Sequence, residues 1–266
     1  MVSLLARKPL VIANWKMHFS PKEANEKVTQ FLSSLKEQKF NLDVLEVVLS
    51  PSSISLLQTR ELIKTTQIKL AAQNCFWEGR GAFTGETSPW DLKEAGVSYV
   101  MVGHSERREY LKEDDEISHK KIAAILKAGL TPVYCVGESF EERQGNIKDY
   151  VIINHLSKAF EGIKLNDTQK IVIAYEPIWV IGSGQAVLPE EAEYTVQIMR
   201  QRMIDLYGSE IEKQQVSYIY GGSIDDKNIH KFVKNNISGV MVSAFSLKIE
   251  NFINLLKTLY EVQNKS

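Results

Sequence analysis

The chain has 266 residues, 44% of them hydrophobic, with 32 basic and 33 acidic side chains and a formal net charge of -1. That balance leaves no global field to attract nucleic acid or an anionic membrane, so neither partner is expected and any anion site must be local. No apolar run approaches bilayer-spanning length, and the opening MVSLLARKPLVIANWK, its apolar patch broken by Arg7 and Lys8, fits neither a secretory nor a transit signal. Two cysteines, Cys75 and Cys135, stand apart with no CxxC, which argues against a disulfide framework or a zinc site and for a cytoplasmic location.

Short apolar runs begin near Pro9, Leu42, Ile68, Tyr99, Thr131, Ile171, Val216 and Gly239, each followed by a helix-like amphipathic stretch. Ser20-Pro21 opens the first helix as cap and first-turn proline, and Gly129 closes the fourth after Lys127. The run Lys112 to Glu116 reads as a solvated helix start, its acids favoured by the helix dipole. His18, His119, His155 and His230 are expected to be ordinary hydrogen-bonding histidines without partner constellations. No Pro/Gly/Ser-rich spacer divides the chain, so one domain over residues 1–266 is expected.

Alternating β and α segments imply a parallel sheet, either open and doubly wound or closed. A dinucleotide-binding sheet would carry GxGxxG after its first strand, but that strand ends in Ala13-Asn14-Trp15-Lys16, without glycine. The glycines cluster late, with Tyr220-Gly221-Gly222-Ser223 where the seventh strand ends, and barrels often build phosphate sites from the loops after strands seven and eight. The expected fold is therefore α/β, a single (β/α)8 TIM barrel with a closed parallel sheet of eight strands.

Active sites of such barrels form at the C-terminal ends of the strands. The polar groups there are Asn14 and Lys16 after the first strand, His104 after the fourth and Glu176 after the sixth, with glycine loops at Gly182 to Gly184 and Gly221 to Ser223. Glu176 is the most telling, because the buried run IVIAY should not end in an acid unless that acid is paired, protonated or reactive. The segment Pro177, Ile178, Trp179, Val180, Ile181, Gly182, Ser183, Gly184 then reads as a lid, stiff at its entry and free to bend at its glycines. One base, one cation, one imidazole and an anion cradle suit metal-free, cofactor-free proton transfer beside a carbonyl. The donors stabilise the oxyanion, and backbone N–H groups near Gly182, Gly221 and Gly222 hold a phosphate.

The ordered motifs ANWKM (13–17), AQNCFWEGRGAFTGE (72–86), VGHSERR (102–108), CVGE (135–138), AYEPIW (174–179), IGSG (181–184) and YGGS (220–223) resemble those of triosephosphate isomerases along the whole chain. The resemblance implies the family's own scheme of glutamate base, neutral histidine electrophile and closing loop. It gives Glu176 as base, His104 as electrophile, Lys16 as cation and Asn14 beside the substrate, in glycolysis and gluconeogenesis. The implied reaction interconverts dihydroxyacetone phosphate and glyceraldehyde 3-phosphate through an enediolate. Gly182, Ser223, Gly221, Gly222, Ser243 and Ala244 correspond to the phosphate grip, and Cys135, Glu138, Ser105 and Glu106 to supporting positions. The family's homodimers imply that Thr84, Gly85 and Glu86, in the loop Asn74 to Thr87, reach a partner's site. Phe76, Trp77 and Phe83 are in any case too apolar for a free surface loop.

Two departures stand out. The family's Gly-Gly pair after the eighth strand is replaced by Ser243-Ala244, followed by Phe245, and a positive φ there would cost about 1–2 kcal/mol per residue. This leaves a non-catalytic or weakened phosphate-binding barrel as the alternative reading; Phe245 is expected to turn into the layer between barrel and helices. The lid's far hinge, Gln185-Ala186-Val187, also differs, which bears on gating more than on chemistry.

Overall fold

Runs such as Leu10 to Ala13 are buried on both faces, the condition of a parallel strand covered by helices. The protein is represented by a computed structural model that describes residues 8–234 and 236–265; Arg7 and the opening apolar patch lie outside them. Its strands are β1 (Leu10–Asn14), β2 (Glu46–Ser50), β3 (Lys69–Ala72), β4 (Tyr99–Val102), β5 (Thr131–Val136), β6 (Ile171–Tyr175), β7 (Val216–Tyr220) and β8 (Gly239–Val242). They pair in chain order, every pair parallel, and β1 joins β8 to close the barrel. Closure leaves no sheet edge exposed.

The helices are α1 (Pro21–Glu37), α2 (Leu56–Ile63), α3 (Pro89–Glu94), α4 (Ser105–Leu111), α5 (Asp115–Lys127), α6 (Phe140–Gln144), α7 (Lys148–Phe160), α8 (Pro189–Tyr207), α9 (Ser209–Gln215), α10 (Ile229–Phe232) and α11 (Ile249–Lys265). Two cores follow from the period-two alternation of strands. Ile12, Val48, Met101, Val133, Val172 and Ile219 belong to the core inside the barrel. Val11, Leu49, Val100, Ile173 and Tyr220 belong to the core shared with the helices, as do Phe31 and Phe252. At the β8–β1 seam, a Cβ on Gly239 would sit 2.1 Å from the Leu10 carbonyl oxygen, so only glycine permits this approach.

Ser20 caps α1 in a reciprocal box: its hydroxyl accepts from the Glu23 N–H at 3.3 Å and the Glu23 carboxylate accepts from the Ser20 N–H at 2.9 Å. Gly129 follows α5 with φ 73°, the left-handed turn expected there. The second strand, expected near Leu42, begins instead at Glu46. The Asn41 side chain accepts from the Asp43 N–H at 2.9 Å and the Leu45 N–H bonds the Leu42 carbonyl at 3.0 Å, so local turn bonds take the backbone first.

The run Lys112 to Glu116 does start a helix, with Asp114 capping α5. Glu113 and Asp115, however, are buried rather than solvated. Asp115 Oδ1 accepts from Arg108 Nη1 at 2.9 Å and lies 2.7 Å from His155 Nδ1, so His155 does have a partner constellation. Burial works against the Asp115 charge, but His155 and Arg108 outweigh it and hold the carboxyl below its ordinary 3.8. A carboxyl depressed on folding contributes stability above the unfolded value, and that stability is lost as pH falls through the folded value. Asp115→Asn is therefore expected to cost about 2 kcal/mol at pH 7, since Arg108, partly buried, is left half-paired. In urea titrations the gap between the two proteins narrows as pH drops below 3.8. A gap independent of pH would remove the ion-pair account.

Candidate active site

Barrel geometry alone brings Asn14 and Glu176 together. Each continues the inward-facing alternation of its strand, Leu10-Ile12-Asn14 and Val172-Ala174-Glu176, and so emerges at the mouth, nearly buried. His104 would not follow by alternation. Gly103, with φ 72°, turns the chain as β4 ends, and a Cβ there would crowd Tyr134 at 2.9 Å and the Cys135 carbonyl at 3.2 Å. His104 thereby caps α4, its Nδ1 accepting the Glu106 N–H at 3.3 Å.

His104 Nε2 stands 2.9 Å from Glu176 Oε1. The other carboxylate oxygen, Oε2, accepts the Ser105 N–H at 3.1 Å. Asn14 Nδ2 is 3.5 Å from His104 Nε2. Lys16 adopts φ 47°, its N–H bonding Asn14 Oδ1 at 3.0 Å and its Nζ pairing with Glu106 Oε1 at 2.6 Å. A non-glycine residue in that region stores about 1–3 kcal/mol of strain, held by its surroundings. The residue that holds it is Gln73, whose amide donates to the Lys16 carbonyl at 2.8 Å and the Ser50 carbonyl at 2.9 Å. Gln73 lies within one of the quoted motifs, yet no sequence signal marks a glutamine as a strap for a distant turn.

Burial disfavours the Glu176 charge, but His104, the Ser105 N–H and Lys16 together hold its carboxyl below the ordinary value. At His104 burial opposes a charge, while Glu176 and Glu106 favour it and raise the imidazole. The Glu106 N–H directed at Nδ1 leaves only Nε2 to carry a hydrogen while that contact holds, so the ring in this arrangement is the neutral tautomer donating to Glu176.

Asn14, Lys16, His104 and Glu176 line a mouth cavity of about 430 Å³ together with Gly182, Gly222, Ser223, Ser243 and Ala244. Gly221 lines it too, but its N–H donates to the Tyr175 carbonyl at 2.8 Å and is committed to the barrel ladder, so it is no free phosphate donor. Ser243 has φ -108° and Ala244 begins a short 3-10 turn, so neither replacement of glycine carries positive-φ strain. Phe245 packs against the core between barrel and helices while also edging the cavity.

The lid leaves Glu176 through Pro177 and a 3-10 turn, Ile178–Val180, and then bends at Gly182 (φ 72°) and Gly184 (φ 74°). Residues 182–185 are exposed, with Gly182 and Gly184 bordering the cavity. Glu138, fully buried and with its carboxyl raised by that burial, accepts Trp179 Nε1–H at 2.9 Å and the Tyr175 hydroxyl at 3.2 Å. Cys135 lies inside the barrel, and burial pushes its thiol well above the ordinary value, which leaves it protonated filler. Gly137 packs so closely on strand six that a Cβ would fall 2.0 Å from the Glu176 carbonyl oxygen.

The loop bearing Thr84, Gly85 and Glu86 folds over its own aromatics, Phe76 stacking on Trp77 at 3.9 Å and meeting Phe83 at a tilt with ring centres 4.8 Å apart, with Thr84 exposed. Its base is fixed from below by Lys121, whose Nζ meets Asn74 Oδ1 at 2.7 Å and Glu113 Oε1 at 2.6 Å. Among the described residues, no group of three His, Cys, Asp or Glu could hold a metal, and no helix is long and apolar enough to cross a membrane.

A closed parallel barrel with carboxylate, neutral imidazole and lysine gathered at its C-terminal mouth, beside a glycine-lined cavity, defines a proton-transferring barrel isomerase. The family model "Triosephosphate isomerase" matches residues 9–259. Proteins named triosephosphate isomerase from Caldanaerobacter subterraneus subsp. tengcongensis and Thermoanaerobacter pseudethanolicus are 40% and 39% identical to it, each over 94% of this chain and 99% of their own length. That of Dictyoglomus thermophilum is 39% identical over 95% of this chain and all of its own. The chain belongs to the triosephosphate isomerase family.

Proposed function

We propose that Glu176, His104, Lys16 and Asn14 carry the family's glycolytic reaction here, moving a proton between adjacent carbons of dihydroxyacetone phosphate and glyceraldehyde 3-phosphate. The observation that carries this reading is the Glu176–His104 contact of 2.9 Å at the mouth of the barrel. It holds the base quiescent while the lid is open. A substrate carbonyl that takes the His104 Nε2–H, and a closing lid that draws Glu176 off Ser105, strip the carboxylate of its donors. Burial then raises its basicity at the moment it faces the substrate carbon. The enediolate oxygen that forms is met by His104 Nε2–H and by Lys16 and Asn14, donors already in place. Gly182, Gly222, Ser223, Ser243 and Ala244 supply the phosphate grip through backbone and hydroxyl. The reading of a non-catalytic barrel rested on the lost Gly-Gly pair, and the negative φ at Ser243 removes its physical basis. The test is turnover of glyceraldehyde 3-phosphate by the native chain and by Glu176→Asp.

The same reading makes the protein a cytoplasmic homodimer. Met17, Ile54, Leu57 and Phe83 are 91%, 74%, 68% and 42% exposed, and all four follow the adjacent strands β1, β2 and β3. Apolar side chains grouped on neighbouring loops call for a partner surface. A second copy would cover them and receive Thr84 beside its own Lys16. Phe83→Asp is expected to shift the protein from dimer to monomer in sedimentation at micromolar concentration. A native chain that sediments as a monomer would refute the assembly.

A further inference from the structure

The guanidinium of Arg143, on α6, reaches from the lid's entry to the first turn of α8, with Nη1 also 3.9 Å from Glu138 Oε1. Its central carbon lies 4.4 Å from the centroid of the Trp179 ring. Nη2 donates to Glu191 Oε2 at 3.0 Å and Nη1 to Glu191 Oε1. Trp179 stands near the lid's entry, whereas Glu191 lies in the first turn of α8, just beyond the far hinge Gln185-Ala186-Val187. Lys148 Nζ, 3.5 Å from Glu191 Oε1, steadies the same carboxylate.

A guanidinium held by two parallel bonds has a fixed plane, so it presents a constant face to the indole. Trp179 is thus seated twice: its Nε1–H in the buried Glu138 carboxylate at 2.9 Å, and its ring against Arg143. Residues 182–185 are exposed in this arrangement, the state from which closure over the cavity would start.

We infer that Arg143 is a positioning residue that holds Trp179 in the open-lid seat and so sets how often the lid closes over the phosphate pocket. The inference rests on the reading of this cavity as the triose phosphate site. A ligand that needs the closed lid binds with an affinity scaled by the closed fraction, so contacts made only in the open state weaken binding. Loss of the stack is therefore expected to tighten binding, whereas damage to the fold would weaken it.

The probe is 2-phosphoglycolate, whose carboxylate copies the charge of the enediolate, titrated calorimetrically into native protein, Arg143→Ala and Arg143→Lys. Arg143→Ala is expected to bind about three- to tenfold more tightly, with KM for glyceraldehyde 3-phosphate falling in the same sense. Arg143→Lys keeps the charge beside Glu191 without the flat stack and is expected to follow the alanine variant. Equal or weaker binding by a folded Arg143→Ala overturns the inference while leaving the site reading intact. Native protein that fails to bind the probe removes the site reading and the inference together.

Discussion

Glu176→Asp is expected to lower kcat for glyceraldehyde 3-phosphate about a hundredfold while leaving KM within a fewfold of native. The substitution keeps the charge and withdraws the carboxylate by one methylene, and a misplacement of about 1 Å at a reacting group costs on this order. The phosphate grip lies on the loops after β7 and β8 and on Gly182, six residues beyond Glu176, so ground-state binding survives and the loss falls on the transition state. Steady-state kinetics on the two proteins read this directly. A variant within tenfold of native would mean that the proton is taken by another group. No turnover from folded native dimer would return the non-catalytic barrel to consideration.

His104→Ala is expected to lower kcat by about 10²–10³, the usual cost of one preorganised donor to a developing oxyanion. It also removes the acceptor for the Glu106 N–H at the start of α4, so a loss of about 1 kcal/mol in stability accompanies it. The two effects separate by method, since urea unfolding reports the cap and single-turnover rates report the donor. A kcat within tenfold of native would show that Lys16 and Asn14 suffice for the oxyanion and that His104 serves α4 alone.

Much of this site is legible in the chain because a barrel converts sequence order into place. Asn14 and Glu176 sit at strand tips, and period-two alternation carries both into the mouth. His104 was visible as a strand-end polar group, but its contact with Glu176 depends on the left-handed turn at Gly103, a conformation that a lone glycine permits without announcing. Asp115 and Glu113 read as surface acids because their cations, Arg108, His155 and Lys121, come from other turns and helices, and burial is a property of the assembled layer. Gln73 escaped for the same reason: the two carbonyls it straps, on Lys16 after β1 and on Ser50 at the end of β2, are remote from it in sequence. The Gly221 amide looked like a phosphate donor until the β6–β7 ladder claimed it. Leu42 was apolar enough for a strand, and local Asn-Asp turn bonds delayed the strand by several residues.

Gly137 divides the machine into a frame and a moving part. With its α-carbon pressed so closely on the Glu176 carbonyl that even a methyl group is excluded, the tips of β5 and β6 form one block. The Glu176 N–H bonds the Val136 carbonyl at 2.8 Å and the Ile178 N–H the Glu138 carbonyl at 3.0 Å, so backbone displacement of the lid is expected to concentrate beyond Ile178. Any reorientation of Glu176 is then expected to run through its own side-chain torsions against that anchor, as a bell-crank turns on a pin.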